Sequence, residues 1–336
     1  MTDHISPTRD AIQTAAQRID PHVRTTPVVE VEGSAFGLTG SLLLKLELLQ
    51  HTGSFKPRGA FNRVLEAGRP EVVVAASGGN HGLAVAHVAR ALRARAEIFV
   101  PATAPQVKVD GIRALDAQVE LVGSTYAHAL AASSRRAEQV GALIVHAYDQ
   151  PEVMAGQGTV GRELEQQCPD LDTVLVAVGG GGLIGGIATW WSRRARVVAV
   201  EPVGCPTLHA ALEAGGPVDV EVGGLASDAL GAGRIGRLGL AAAIAADVRS
   251  VLVTADAIGT ARLLLWQRLR VAAEPGGATA LAALISGAYR PAPGERVAVV
   301  VCGGNADPAD LAVGVSPRFG PAASPASTQN VSTRTP

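Results

Sequence analysis

The segment Thr52-Gly53-Ser54-Phe55-Lys56-Pro57-Arg58-Gly59-Ala60 sets a lysine between Phe55 and Pro57, with glycines on either side. Glycine lets a backbone turn tightly or approach a ligand closely. A lysine can lose its proton and form an imine with an aldehyde; arginine, with a pKa above about 12, cannot. That difference matters in this chain, because only three of its 29 basic residues are lysines: Lys45, Lys56 and Lys108. Where a plain positive charge suffices, the sequence nearly always uses arginine, so each lysine asks what arginine could not do there. Neither Lys45 nor Lys108 sits in a glycine-flanked segment. Lys56 is therefore the candidate for covalent chemistry, with an incidental charge on a surface loop as the open alternative.

Three further segments could bind or react. Ser77-Gly78-Gly79-Asn80-His81-Gly82 follows the apolar run Val72 to Ala76 and opens a helix. Glycines there expose N–H groups at a helix N-terminus, which suits a carboxylate. Asn80 offers both a donor and an acceptor; His81 could be a base, though a histidine so placed is more often structural. Gly179-Gly180-Gly181-Gly182-Leu183 also lies between strand and helix, where main-chain donors and the helix dipole can hold a phosphate. The same residues fit a rival fingerprint. Gly180, Gly182 and Gly185 match G-x-G-x-x-G, and Glu201 follows about 20 residues on, as in a dinucleotide-binding unit. In Cys302-Gly303-Gly304-Asn305, a thiol at a strand end could face a ring nitrogen or simply fill the core.

These segments need elements to carry them. Ser6-Pro7 reads as the cap and first turn of a helix running to Ile19. Strands are expected at Leu42 to Leu46, Val72 to Ala76, Glu97 to Val100, Val119 to Val122 and Leu143 to His146 in the first half. In the second half they are expected at Thr173 to Val178, Arg196 to Val200 and Val297 to Val301. Helices are expected at Leu83 to Leu92, Val107 to Leu115, Ala127 to Val140, after the tetraglycine turn to about Ser192, at Ala255 to Arg270 and at Thr279 to Gly287. This alternation predicts an α/β chain with mostly parallel sheets in two domains. Residues 1–46 and 145–316 would form a large domain and 47–144 a small one. A Pro-, Ser- and Thr-rich stretch, 317–336, reads as a disordered tail.

The 336 residues are 47% hydrophobic and 18% charged, with net charge −1. That balance suits a globular core and gives no reason to expect nucleic acid or a membrane surface as partner. Three cysteines without CxxC spacing argue against a disulfide framework or structural zinc. A polar start and the lack of a long apolar run point to a cytoplasmic protein.

Together the motifs resemble the serine/threonine dehydratase family of fold-type II pyridoxal phosphate enzymes, within the tryptophan synthase beta-like superfamily. The resemblance runs from about Ile12 to Asp307. It takes in Arg24-Thr25-Thr26-Pro27, the Lys56 segment, Ser77 to Gly82, Ala104-Pro105-Gln106-Val107-Lys108 and Ala155-Gly156-Gln157-Gly158-Thr159. It continues through Gly179 to Leu183, Glu201-Pro202, Glu274-Pro275 and Cys302 to Asn305. The order and spacing of these motifs carry the likeness. It implies two α/β domains, each an open, mostly parallel sheet flanked by helices, pyridoxal 5'-phosphate as cofactor, and a homodimer. It also implies that Lys56 carries the cofactor and later moves the substrate's α-proton. Phe55 would pack on the ring, Asn80 would hold the ring hydroxyl, and Cys302 would face the ring nitrogen. Gly179, Gly180, Gly181, Gly182 and Leu183 would hold the phosphate. Ser77, Gly78, Gly79, Asn80 and His81 would receive the substrate.

The implied reaction is α,β-elimination from L-threonine or L-serine, giving a 2-oxo acid and ammonia. Other β-hydroxy amino acids (3-hydroxyaspartate, phenylserine) and β-replacement remain alternatives. So does an NAD-dependent oxidoreductase, which leaves Lys56 and Asn80 unexplained, and a binding protein that kept the fold without its reaction. Two departures matter. Racemases of the family carry a serine where this chain has Gly78, so a proton donor on the second face is missing and racemisation is not expected. They also bind a divalent ion through positions matching Glu201, Cys205 and Thr207. Thr207 lacks the carboxylate of that set, so no tight divalent site is expected, with a weak or monovalent ion as the open alternative. Borohydride reduction and peptide mapping should place a pyridoxyl label on Lys56; a label on Lys45 or Lys108 overturns the assignment.

Overall fold

The computed structural model describes residues 6–311. The stretch 317–336 lies outside them. Six strands form one sheet: β1 (Val28–Glu32), β2 (Ser41–Lys45), β7 (Thr173–Ala177), β8 (Arg196–Pro202), β9 (Arg249–Val253) and β10 (Val297–Val300). Their spatial order is β1-β2-β10-β7-β8-β9. Only the β1–β2 pair is antiparallel. A second, four-stranded parallel sheet has the order β5-β4-β3-β6, from β3 (Val72–Ala76), β4 (Arg95–Val100), β5 (Gln118–Leu121) and β6 (Leu143–Ile144). Helices flank both sheets, as the alternation of signals predicts.

The apolar runs reflect burial on two faces, which removes the polar–apolar alternation of a half-exposed strand. In β3, Val73 and Ala75 join one apolar cluster with Ile98 and Val100. Val74 and Ala76 point the other way and join Phe99, Ala129 and Ala132. Around the larger sheet, β7, β8 and β10 enter a single core with the tryptophans Trp190 and Trp191. Among the described residues no helix is long and apolar enough to cross a membrane.

Several boundaries differ from the sequence expectation. The first helix is Arg9–Ile19 and its cap is Thr8, whose hydroxyl accepts from the Ala11 N–H; Ser6 instead reaches the Leu238 carbonyl at 3.4 Å. The strand expected at Leu143 to His146 stops at Ile144, because Gln150 Oε1 takes the His146 N–H at 2.8 Å. The helix after Glu274 starts at Pro275, four residues earlier than Thr279. Strands β1 and β9 and the helices Lys56–Glu66, Pro151–Gln167, Thr207–Ala214 and Arg237–Ala245 have no counterpart in the sequence reading. In the helices Lys56–Glu66 and Pro151–Gln167 the apolar periodicity is blurred by polar residues and glycine at buried positions, among them Arg58, Gly59, Asn62, Gly156, Gln157 and Gly158.

Helix Pro151–Gln167 holds the framework together. On one side it meets helix Lys56–Glu66: a Cβ on Gly156 would fall 2.5 Å from the Arg58 carbonyl oxygen, and one on Gly59 would fall 2.4 Å from Gln157 Nε2. On the other it meets helix Gly182–Trp191, where a Cβ on Gly186 would fall 2.5 Å from the Gly158 nitrogen. The Ala155 to Thr159 motif is thus a backbone contact surface. Gly156→Ala separates two opposed effects. Helix propensity gains about 0.5–1 kcal/mol, while overpacking against backbone costs about 1–3 kcal/mol. Net destabilisation is expected in thermal unfolding, and a raised Tm would show that the contact is loose.

Candidate active site

Both glycine-rich turns lie at the carboxyl ends of parallel strands, where open α/β sheets place their ligands. The Ser77 to Gly82 turn follows β3, the tetraglycine turn follows β7, and Cys302 follows β10. His146 to Tyr148 leave β6 in the same region. A cavity of about 400 Å³ opens between them. Its walls include Lys56, Ser77, Gly78, Gly79, Asn80, His81 and Gly180, with Ala147, Tyr148, Lys108 and Asp228. Phe55, Gly179, Gly181, Gly182, Leu183 and Cys302 are not among its lining residues.

Lys56 is the first residue of a helix, with Pro57 in the first turn. A side chain at this position points back toward the preceding chain rather than into the helix. Two residues on, the buried Arg58 anchors the helix. It donates to Glu47 through Nε at 2.8 Å and Nη2 at 2.7 Å, and its Nη1 lies 3.0 Å from Glu163 Oε2. Glu163 also receives Lys45 Nζ at 2.5 Å. Lys45 is fully buried and donates further to the Thr26 carbonyl and Gln167 Oε1, both at 2.8 Å. Two cations and two carboxylates compensate one another where water cannot reach. The Arg24 to Pro27 motif serves this cluster, since the Thr26 hydroxyl donates to Glu47 Oε1 at 2.5 Å.

The Lys56 amine has no carboxylate in salt-bridge range among the described residues. It donates to the Ala147 carbonyl at 3.0 Å and lies 5.0 Å from the Phe55 ring centroid. Enclosure by protein pushes its pKa down to about 8, with Cys302 and Glu274 pulling weakly the other way. An appreciable neutral fraction is thus present near neutral pH. Nearby, His81 is buried, its Nε2 is 2.8 Å from the Val145 carbonyl, and burial, then Lys56, holds its pKa at about 3. That ring stays neutral and is tied to the backbone. The Cys302 thiol meets the Gly276 carbonyl at 3.5 Å and burial pushes its pKa up to about 12.

The tetraglycine turn is shaped by what packs against it. Gly181 has φ +95°, which side-chain-bearing residues avoid. A Cβ on Gly180 would fall 2.1 Å from the Tyr148 ring. The turn ends as the N-cap of helix Gly182–Trp191, so the N–H groups of Gly182, Leu183 and Ile184 have no partner within the helix. The Thr207 hydroxyl donates to the Gly179 carbonyl at 2.6 Å and steadies the turn from behind. Glu201 spends both oxygens on protein donors: the N–H groups of Leu208 at 2.7 Å and His209 at 2.9 Å, and Ser250 Oγ at 3.0 Å. It caps the helix Thr207–Ala214 and does not face the cavity.

Sequence reasoning missed Tyr148, the Ala147 carbonyl and the Lys108–Asp228 ion pair at the cavity rim. The scarcity of lysine was a usable signal for Lys108. Tyr148 offered none, because its loop reaches the site only through β6.

Residues 19–303 match the family model described as pyridoxal-phosphate dependent enzyme. The chain belongs to that family. The biosynthetic L-threonine dehydratase IlvA of Mycobacterium leprae is 39% identical over 309 residues, covering 88% of this chain and 72% of the relative. The L-threonine ammonia-lyase of Thermotoga maritima is 37% identical, covering 80% and 68%. Among solved structures, the T.th. threonine deaminase superposes with a TM-score of 0.84 at 34% identity, covering 90% of this chain and 99% of that one. Maize serine racemase gives 0.85 at 30% identity, covering 92% and 96%. The fold is thus that of fold-type II pyridoxal phosphate enzymes.

The residues present fit the cofactor. A buried amine of lowered pKa stands in the same wall as a glycine turn that a single Cβ would close. Gly180→Ala should weaken pyridoxal phosphate uptake by the apoprotein about tenfold or more, the equivalent of the overpacking cost. Gly216→Ala, where a Cβ meets nothing within 4 Å, should not. Equal uptake by both variants in an absorbance titration would remove the turn from the cofactor site.

Proposed function

We propose that this protein is an ammonia-lyase that converts L-threonine or L-serine to the corresponding 2-oxo acid and ammonia by α,β-elimination. The observation that carries the reading is the Lys56 amine. It is enclosed, lowered to a pKa of about 8 and set in the wall of a cavity between Ser77–His81 and Gly180. The relatives named as L-threonine dehydratase or ammonia-lyase supply the substrate class. A homodimer, which the sequence resemblance implies, and a cytoplasmic location belong to the same proposal.

Pyridoxal phosphate supplies an aldehyde that captures amines and a ring system that takes up electron density as the α-proton leaves. Lys56 would be its attachment point and, as a free amine, the base that takes the substrate's α-proton. A neutral amine is required for both tasks, and enclosure provides it. The free N–H groups at the start of helix Gly182–Trp191 and the main chain of Gly179 to Leu183 would hold the phosphate. Phe55 packs beside the Lys56 side chain, Asn80 would hold the ring hydroxyl and Cys302 would face the ring nitrogen. A thiol with a pKa near 12 is a weak donor and would leave that nitrogen unprotonated. Ser77 and the backbone through His81 bind the substrate carboxylate. Ser77 Oγ accepts the Gly79 N–H at 3.2 Å, which holds this turn in shape.

Gly78 supports lyase over racemase chemistry. It lines the cavity and has no side chain to deliver a proton to the second face. The surroundings also leave little room for one: a Cβ there would fall 2.9 Å from Val100 Cγ1. L-serine should yield pyruvate with almost no D-serine, and Lys56→Ala should lose more than about a thousandfold in kcat on L-threonine. Installing a serine at 78 needs Val100→Ala beside Gly78→Ser to raise the D-serine share. Chiral chromatography alongside 2-oxo acid detection decides it, and D-serine forming as fast as pyruvate in the unaltered enzyme would refute the reading.

A further inference from the structure

Glu274 is a buried carboxyl that the reaction above leaves without a task. It occupies the cap position of helix Pro275–Ser286, yet its side chain makes no cap bond. It turns instead to Asn80, whose Nδ2 donates to Glu274 Oε1 at 2.6 Å. The other end of the same amide is also taken: Asn80 Oδ1 accepts from Asn305 Nδ2 at 2.7 Å. Asn305 Nδ2 in turn donates to the Thr52 carbonyl at 2.7 Å. The Glu274 N–H donates to the Gly303 carbonyl at 3.1 Å. A Cβ on Gly303 would stand 1.8 Å from Glu274 Oε1, so only glycine leaves the carboxyl its place. The Glu274-Pro275 and Cys302 to Asn305 motifs therefore converge on one amide in the cavity wall.

The oxygen and nitrogen ends of an asparagine side chain have nearly the same shape and opposite polarity. Which end faces a ligand is decided by what holds each end. An ionised carboxylate only accepts hydrogen bonds, so it selects the nitrogen end. We propose that Glu274 is a positioning residue for this reaction: it fixes the orientation of the Asn80 amide and so sets the polar group presented to the cofactor beside Lys56. The proposal rests on the reading of the cavity as a pyridoxal phosphate site.

The charge on Glu274 is close to balance at neutral pH. Burial raises its pKa to about 7; the Asn80 bond lowers it, Asp228 raises it further, and Lys108 and Lys56 lower it. The facing Cys302 stays a thiol throughout this range. Above pH 7 the carboxylate selects the nitrogen end of Asn80. Below it, the protonated carboxyl gains an O–H donor and that selection relaxes, leaving Asn305 as the remaining constraint.

The experiment measures pyridoxal phosphate uptake by apoprotein and the visible absorbance of the holoenzyme, between about pH 6 and pH 8.5, for the unaltered protein, Glu274→Gln and Glu274→Ala. Removing the acceptor in Glu274→Ala should weaken uptake about tenfold or more, the size expected for a lost hydrogen bond to a charged group. Glutamine keeps an acceptor oxygen without a titrating proton. Glu274→Gln should therefore recover most of the uptake while losing the pH step near 7, leaving only the step from Lys56 near 8. A glutamine variant that keeps the step near pH 7, or an alanine variant indistinguishable from the unaltered protein, would overturn the proposal while leaving the lyase reading intact. An unaltered protein that takes up no cofactor would overturn both.

Discussion

Three helices touching backbone to backbone set the distance on which the site depends. Helix Pro151–Gln167 meets helix Lys56–Glu66 at Gly156 and Gly59, and helix Gly182–Trp191 at Gly158 and Gly186. The two outer helices begin with Lys56 and within the tetraglycine turn. The contacts fall at the fourth residue of helix Lys56–Glu66 and the fifth of helix Gly182–Trp191, so close approach there keeps both helix starts near the shared helix. Close-packed interiors deform little, so this spacing is a rigid property of the scaffold. Tyr148, pressed against Gly180, closes the gap that remains.

The three lysines divide the electrostatic labour. Lys45 is buried and paired with Glu163, in a cluster that also anchors Arg58 and hence the helix that Lys56 begins. Lys108 pairs with Asp228 at the cavity rim, where water screens both charges. Lys56 alone is enclosed without a carboxylate partner in reach. A counter-ion would have held its proton, and an amine with the role proposed for Lys56 has to be neutral part of the time. The scaffold thus stabilises two cations by pairing and leaves the third poised.

The likeness extends to solved structures of both a threonine deaminase and a serine racemase, so the backbone does not separate the two chemistries. On the proposed reading, single positions do. Gly78 removes a side chain from one face of the cavity, and Val100 packs close enough to resist putting one back. Thr207 supplies a hydroxyl to the Gly179 carbonyl where the racemase pattern carries a carboxylate, and Glu201 is already satisfied by amides and Ser250. Local hydrogen bonds of this chain tie the turn to the strand behind it.

Much of this was legible before any coordinates. The alternation of apolar runs with helical periodicity determined an α/β architecture, since β3, β7, β8 and β10 are buried on both faces and must be continuously apolar. The scarcity of lysine singled out Lys56, because arginine cannot lose its proton. Glycine clusters after strands marked both turns, for only glycine tolerates the conformation at Gly181 or the proximity of Tyr148 at Gly180. Tertiary structure alone decided the rest. That Lys56 opens a helix, that the Ala155 to Thr159 motif is a contact surface, and that Glu274 reaches Asn80 across 194 residues of chain all depend on long-range packing. Enclosure and the resulting pKa values are properties of a surrounding assembled from distant segments. A local pattern states which groups are available, and only the folded chain states which of them share a volume from which water is excluded.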